Sequence, residues 1–497
     1  MTPLPPAGRK TALGWGTAVL LAAALARALP LLHNRFHPDE ALYAYFGRLI
    51  AAGRDPLLAQ VVVDKPPLAL YLLGGSFALL GGSELAARLP TFFASLVSVA
   101  LLYRLALQVY GPAVARPAAL LLALSPFAIL FSITLFIDPL LTAFGLWGLW
   151  RAAAGRPRSA ALALALAFMT KQTALFYWPL ALALGLLALP AGASPRAALT
   201  RLRQLLLPLL GGLALAGLVV LGWDQLRQQF GAAVSFWAQG YSDNVPNRLI
   251  RSTEVPLRAA AWGELLGYVT AAPLLNGLAA LGGLGGLAAG LRRPSRAALA
   301  DWLIAGYAAA YLAAYWLLAF NVWDRYLVPI LPLLLLLLAR GLAGLGAGLR
   351  RWRWAPAVLP SLLAGLLLLP SALTAARSGY PIGGDHGAYA GLDDAARFLN
   401  ALPAGAVLYD FWLSWEWNYY LFDSRVYVAW LPGPAALTTD LRAFGRASPR
   451  YLAVPSWESD VEARQAAQAA GFVFQLAHAA FRPDGSRAFA IYQLVPR

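Results

Sequence analysis

Apolar residues run in long stretches through the first 376 positions and then shorten abruptly. Eleven stretches, at 12–32, 87–110, 113–134, 139–153, 158–171, 174–190, 205–223, 262–291, 298–319, 326–347 and 354–375, read as bilayer helices. A full crossing takes about 20 residues, and several of these are shorter. Residues 66–82 are also apolar but Gly-rich and interrupted, which predicts an interfacial or re-entrant helix inside the first loop. Beyond 377 the apolar runs have strand length: Ala406–Asp410, Arg425–Trp430, Arg450–Val454, Phe472–Leu476 and Ala488–Leu494. Helix-like stretches lie among them at Gly391–Leu402, with Asp393 and Asp394 near its start, and at Asp460–Ala470, which Gly471 ends. The pattern predicts a polytopic α-helical membrane domain over 1–376 and a small extracytoplasmic α/β domain over 377–497.

Charge orients these helices. Only 12% of the residues are charged, against about 25% in a soluble domain. The net charge of +16 comes from arginines scattered over short loops rather than a basic stripe, which argues against a nucleic-acid partner. With Arg9 and Lys10 in the cytoplasm, alternation puts the Arg151–Arg158, Arg196–Arg203, Arg292–Arg296 and Arg350–Arg353 clusters all inside, as the positive-inside rule requires. Counting 66–82 as a span would invert every one of them. Before 377, every acid except Asp301 then falls at the outer face, which predicts an aqueous site there. The expected location is a bacterial-type inner or plasma membrane, with the Arg9-Lys10 segment a retained anchor rather than a cleaved signal. There are no cysteines, so thiolate chemistry and disulfides are excluded. His33, His37, His386 and His478 have no metal-ligand spacing. No cofactor is required, and the acidic outer loops leave a divalent cation open.

Lysine is the rarest charged residue: Lys10, Lys65 and Lys171 stand against an arginine background. A compact ammonium is a natural partner for a phosphate. Lys65 precedes Pro66-Pro67, which hold its backbone extended. Asp39-Glu40 follows the first span and Asp138 lies near the same face. Carboxylates at such depth are candidates for base chemistry. The structural alternatives are an N-cap for Asp39 and a snorkelling side chain for Lys65 and, more strongly, Lys171. Arg325 and Tyr326 offer further donors to a phosphate, although Arg325 has Asp324 as an adjacent partner. The loop 224–261 carries Trp237, Tyr241, Asn244, Asn247, Arg248 and Arg251, which suit sugar or head-group contacts. The aromatic run Phe411–Tyr420 suits a glycan, the membrane surface, or packing against the membrane domain equally well.

Taken in order, His37-Pro38-Asp39-Glu40-Ala41-Leu42-Tyr43-Ala44, Asp64-Lys65-Pro66-Pro67-Leu68 and Glu84-Leu85-Ala86-Ala87-Arg88-Leu89-Pro90 resemble the protein mannosyltransferase / aminoarabinose transferase superfamily. Asp138-Pro139, Met169-Thr170-Lys171 and Asp324-Arg325-Tyr326-Leu327-Val328-Pro329 continue the pattern, which covers about 12–345. The resemblance implies an integral-membrane glycosyltransferase of the GT-C class. Its donor would be a polyprenyl-phosphate sugar used on the extracytoplasmic face, and transfer would invert the anomeric carbon. It implies Asp39 as general base with Glu40 beside it, Asp138 as the second-loop acid, and Lys65 and Tyr326 at the donor phosphate, with Arg325 and Lys171 nearby. His37, Tyr43, Arg248, Trp237 and Tyr241 are the further candidate substrate contacts. Aminoarabinose transferases have Arg where this chain has Leu42, so neither aminoarabinose nor a lipid A acceptor carries over. Partners are then membrane lipids and a lipid, glycan or protein acceptor. A flippase of lipid-linked sugars is the alternative, but no internal repeat supports it. A glycan-binding scaffold would leave Asp39 and Lys65 unexplained.

Overall fold

A computed structural model describes residues 6–32, 34–190, 192–246, 248–348 and 355–497. His33, Asn247 and the arginines at 350–353 lie outside the described residues, as do the side chains of Arg9, Lys10 and Asn244. Each of the eleven apolar stretches contains helix. Among the described residues, six helices are long and apolar enough to cross a membrane, including Glu84–Tyr110, Arg296–Leu317 and Leu331–Gly348, and shorter apolar helices accompany them. The chain is a multi-pass membrane protein.

Three stretches differ from expectation, and one of them, 113–134, is two helices, Pro112–Leu124 and Pro126–Phe131, because Pro126 has no N–H to continue the first. The stretch 205–223 is the middle of a longer helix, Pro195–Gln229, so Arg196, Arg201 and Arg203 are helical rather than in a loop. Ser194 caps it and Pro195 occupies its first turn, a start signal upstream of the apolar run. The stretch 262–291 is two helices, Val255–Gly267 and Pro273–Arg292. Pro273 has no N–H to continue the first helix, and Ala271 turns the chain at a φ of 48°. The break is filled: Ser125 Oγ donates to the Val269 carbonyl at 2.7 Å, and Thr270 Oγ1 to Asn276 at 2.8 Å. Pro273–Arg292 then lies against Leu331–Gly348 so closely that a Cβ at Gly282 or Gly341 would collide with the facing backbone. Arg27, fully buried in the first helix, donates to Ser95, Ala23, Leu122 and Ala123, which ties that helix to its neighbours and satisfies the guanidinium.

The loop after the first long helix carries two helices, Pro38–Ala51 and Pro67–Leu80. The second is the helix expected at 66–82. The two pack through glycine: Cβ positions at Gly47 and Gly74 fall on Leu73 and Ile50.

The tail forms a five-stranded sheet. Its strands are β1 (Val407–Asp410), β2 (Tyr427–Trp430), β3 (Arg450–Pro455), β4 (Phe472–Phe481) and β5 (Arg487–Pro496). The order is β2-β1-β3-β5-β4, with β1 parallel to β2 and β3 and with β5 antiparallel to β3 and β4. The expected helices stand at Leu392–Asn400 and Val461–Ala469, joined by two more, Ser414–Tyr420 and Pro434–Phe444. Ser414–Tyr420 is part of the aromatic run, and much of it is packing. Tyr419 and Tyr420 lie 4.9 and 6.2 Å from the Phe36 ring. Tyr419 donates to the Gly82 carbonyl at 2.9 Å, Tyr420 to Glu84, and Asp423 pairs with Arg48 and Arg54. The sheet domain is thereby seated on the loop that holds Pro38–Ala51.

Candidate active site

Two cavities meet where these elements converge. The first, about 340 Å³, is mostly apolar and is lined by Tyr43, Lys65, Asp138, Lys171, Trp237 and Tyr241 among others. The second, about 850 Å³, is polar and is lined by His37, Asp39, Asp324, Asp385, His386 and Tyr389 among others. Phe136, Val245, Phe320, Arg325 and Tyr326 line both and form the wall between them.

Local structure explains each placement. Lys65 sits two residues before the helix that Pro67 starts, and the extended Pro66 between them fixes where its side chain leaves the chain. Its ammonium pairs with the adjacent Asp64 and is largely buried. The helix Phe236–Asn244 presses on this segment: a Cβ at Gly240 would sit 2.8 Å from the Asp64 carbonyl, which also accepts from Gln172 at 3.2 Å. Lys171 ends the helix Pro157–Thr170 in an extended conformation, and a 3₁₀ turn, Gln172–Phe176, follows. Asp138 begins the helix Asp138–Ala153. The Lys171 ammonium meets the Asp138 carboxylate at 2.6 Å, with both side chains buried. A carboxylate at a helix N-terminus and an ammonium at a helix C-terminus each sit at the favourable end of the helix dipole. Lys171 also lies 5.5 Å from the Tyr326 ring centre. The snorkelling alternative therefore fails for Lys171, whose charge is turned into the protein.

Asp39 is the second residue of Pro38–Ala51, but it is not the cap. His37 is: its Nδ1 accepts from the Asp39 N–H at 3.3 Å, and Glu40 closes a capping box by accepting from the His37 N–H at 3.1 Å. Asp39 is left with its carboxylate in the polar cavity, paired with Arg325. Arg325 comes from the 3₁₀ turn Asp324–Leu327, and its guanidinium lies 5.1 Å from the Phe136 ring centre. Asp324 bonds not to the Arg325 side chain but to its N–H, at 2.7 Å, and to the Gly383 N–H at 2.8 Å.

Three expected contacts are corrected. Glu40 is fully buried and lines neither cavity; its second oxygen accepts from the Leu135 N–H at 3.0 Å. Burial pushes its carboxyl up to about 7 against the pull of Arg88 and its backbone bonds. Both of its oxygens are spent on backbone N–H groups, away from the cavity that Asp39 faces. Arg248 also lines neither cavity and spends its guanidinium on Glu254 at 2.7 and 2.9 Å. Asp138 lies in the other cavity from Asp39 and is bound to Lys171, so the acids do not form one group. The divalent cation left open by the acidic loops has no cluster of three or more candidate ligands among the described residues.

Asp385 and Tyr389 escaped the sequence reading, and His386 entered it only as a histidine without metal-ligand spacing. They belong to the segment joining the last span to the sheet domain, and no motif marks them. Asp385 accepts from the Arg35 N–H at 3.2 Å, and burial raises its carboxyl. Burial lowers the His37 and His386 imidazoles.

Comparison with known proteins bears on the fold around this arrangement. Residues 64–223 match the family model described as dolichyl-phosphate-mannose-protein mannosyltransferase. No curated protein matches the sequence significantly. Among solved structures, ArnT from Cupriavidus metallidurans in the apo state superposes with a TM-score of 0.63 at 17% identity, covering 97% of this chain and 98% of that one. ArnT bound to undecaprenyl phosphate gives 0.61 at 16%, with the same coverage. The oligosaccharyltransferase of Archaeoglobus fulgidus, in a complex with zinc and sulfate, gives 0.51 at 13%, covering 95% of this chain and 72% of that one. At such identities the likeness is one of fold. The chain has the GT-C membrane fold, and within it residues 64–223 match the dolichyl-phosphate-mannose-protein mannosyltransferase family.

Proposed function

We propose that the chain is a glycosyltransferase that moves a sugar from a polyprenyl-phosphate donor to an acceptor hydroxyl on the extracytoplasmic face. The observation that carries this reading is the shared wall: an apolar cavity holding Lys65 and Lys171 abuts a polar one holding Asp39, with Arg325 and Tyr326 between. A lipid phosphate needs cations at the edge of an apolar slot, and an acceptor needs an aqueous approach to a carboxylate. A third, apolar cavity of about 450 Å³ shares Leu175 and Phe176 with the first and runs along Pro179, Ala183, Tyr307 and Ala310, a course that suits a polyprenyl tail. The undecaprenyl phosphate bound by the ArnT of similar fold agrees with that ligand class.

The reaction is a single displacement. The acceptor oxygen attacks the anomeric carbon while its proton passes to Asp39. The bond from that carbon to the phosphate oxygen breaks, and its electron pair leaves with the polyprenyl phosphate. Lys65, Arg325 and Tyr326 stabilise the charge that develops there. Lys171 adds its charge with Asp138 holding it in place. One displacement inverts the anomeric centre. Tyr43, Trp237 and Tyr241 offer apolar and hydroxyl surface to the sugar, and His37 flanks the base. A division at 376/377 then separates the catalytic membrane domain from the outer sheet domain, with the N-terminus cytoplasmic.

The test is transfer of radiolabelled sugar from polyprenyl-phosphate donors by vesicles holding the protein. Asp39→Asn keeps the shape of the side chain and, since His37 is the cap, the helix. Transfer should fall by about 10²–10⁴-fold, the usual worth of a positioned base. Near-normal transfer by this variant would remove Asp39 as the base. Movement of the lipid-linked sugar across the vesicle membrane without transfer would favour a flippase.

A further inference from the structure

Each cation that lines the apolar cavity has a carboxylate of this chain as partner: Lys65 has Asp64, Lys171 has Asp138, and Arg325 has Asp39. Of the three cations only Arg325 also lines the polar cavity, and of the three carboxylates only Asp39 does. The Asp39–Arg325 pair therefore crosses the wall between the two cavities. Its guanidinium is held against Phe136 and Trp323, at 5.1 and 5.6 Å from the ring centres, on a short 3₁₀ turn fixed by Asp324. A planar fork in that position can face a carboxylate on one side and a phosphate on the other. Two anions on one guanidinium repel each other, so each weakens the hold of the other.

We propose that Arg325 is a positioning residue that couples the two cavities: it latches Asp39, and a polyprenyl phosphate arriving in the apolar cavity draws the guanidinium away and releases the carboxylate to the acceptor. This rests on the reading of the apolar cavity as the donor-phosphate site. Before release, the carboxylate is engaged by the guanidinium rather than by an acceptor hydroxyl. After release it faces the acceptor with its charge uncompensated. The base is thereby armed only when a donor is present. The other two pairs do not do this, since neither Asp64 nor Asp138 reaches the polar cavity.

Coupling of this kind is reciprocal. If the phosphate loosens Asp39 from Arg325, then removing the charge of Asp39 must strengthen the phosphate. The experiment is a double-mutant cycle on the purified full chain in nanodiscs, with undecaprenyl phosphate as the probe. Asp39→Asn should bind it about fivefold or more tightly than wild type, within the ordinary range of coupling between sites. Arg325→Gln should bind it more weakly, and Asp39→Asn should add nothing in that background. Arg325→Lys, which keeps the charge without the fork, gives a second background in which the gain should be smaller. A purely structural role for Asp39 predicts a loss, since a damaged site does not bind more tightly. Unchanged or weaker binding by Asp39→Asn overturns the latch. So does a gain that persists in Arg325→Gln, which would be plain charge repulsion. Failure of the wild type to bind undecaprenyl phosphate would instead overturn the donor-site reading on which the latch rests.

Discussion

At the scale of single residues, the two lysines of the apolar cavity look alike and should behave differently. Lys65 pairs with its own neighbour in sequence, while Lys171 pairs with Asp138 across 33 positions of chain. Lys65→Ala leaves Asp64 beside the phosphate position, so donor affinity should fall by about 1.5–3 kcal/mol, the worth of a charge-assisted bond. Folding should change little. Lys65→Arg should rescue in part, because a fork does not replace a point charge. Lys171→Met strands a buried carboxylate, and breaking such a pair costs about 3–5 kcal/mol of stability. The double variant Lys171→Met/Asp138→Leu should recover that stability and still bind the donor weakly. Thermal melts with undecaprenyl-phosphate titrations would check this. Normal donor binding by the double variant would show Lys171 to be structural alone. The scarcity of lysine made both residues legible in the sequence, and the Pro66-Pro67 pair made the position of Lys65 legible. Their partners were not legible, since a pair 33 residues apart depends on how two helices meet. Nor was the distinction between Asp39 and Glu40, which follows from one capping box.

The elements were legible where periodicity and punctuation agree. Four of the five strands fall within two residues of their expected bounds, because short apolar runs between polar turns admit little else, while β4 runs on past Leu476 to Phe481. The break at 268–272 was hidden because both sides are apolar, and only Pro273 marks it. Ser414–Tyr420 was hidden because an aromatic run has no helical signature until it docks. The capping box on Pro38–Ala51 makes a testable statement about pH. The folded Glu40 carboxyl titrates at about 7 and that of Glu416 at about 8, both raised chiefly by burial. The folded chain therefore holds more protons than the unfolded chain between the ordinary carboxylate range and pH 8. That stability is present at low pH and is lost as the pH rises through 7 to 8. The buried imidazoles of His37 and His386, whose pKa values are lowered, act oppositely below the ordinary histidine value of about 6.5. The melting temperature of the purified protein should therefore drop from pH 6.5 to 8.5, and less steeply in Glu40→Gln. A flat or rising melting curve over that window in wild type would contradict the raised titration of these two buried acids.

At the scale of the whole molecule three arginine clusters, at 151–158, 196–203 and 292–296, lie at the opposite end from the site. The helix Asp138–Ala153 starts at the apolar cavity and ends beside Arg151 and Arg156, about 24 Å away at 1.5 Å per residue. Around that far end the clusters gather: Arg201 donates to the Gly185 carbonyl and approaches Gly155, and Arg296 donates to the Leu189 carbonyl. The tail is tied to the other end, through Asp423 to Arg48 and Arg54 and through Asp385 to the Arg35 backbone. The site and the sheet domain thus share one side whichever way the protein is inserted, and the positive-inside rule says which side it is. The absence of cysteine from the sequence makes the orientation directly measurable. Ser486 lies in an exposed turn of the tail and Arg158 is exposed at the arginine-rich end. With one cysteine at a time, Ser486→Cys should react with a membrane-impermeant maleimide in intact cells, and Arg158→Cys should react only after the membrane is opened. The reverse pattern would place Asp39 and both cavities in the cytoplasm. Nucleotide sugars are available there, and the physical reason for a polyprenyl-phosphate donor, a sugar that must be presented where nucleotides are absent, would be gone.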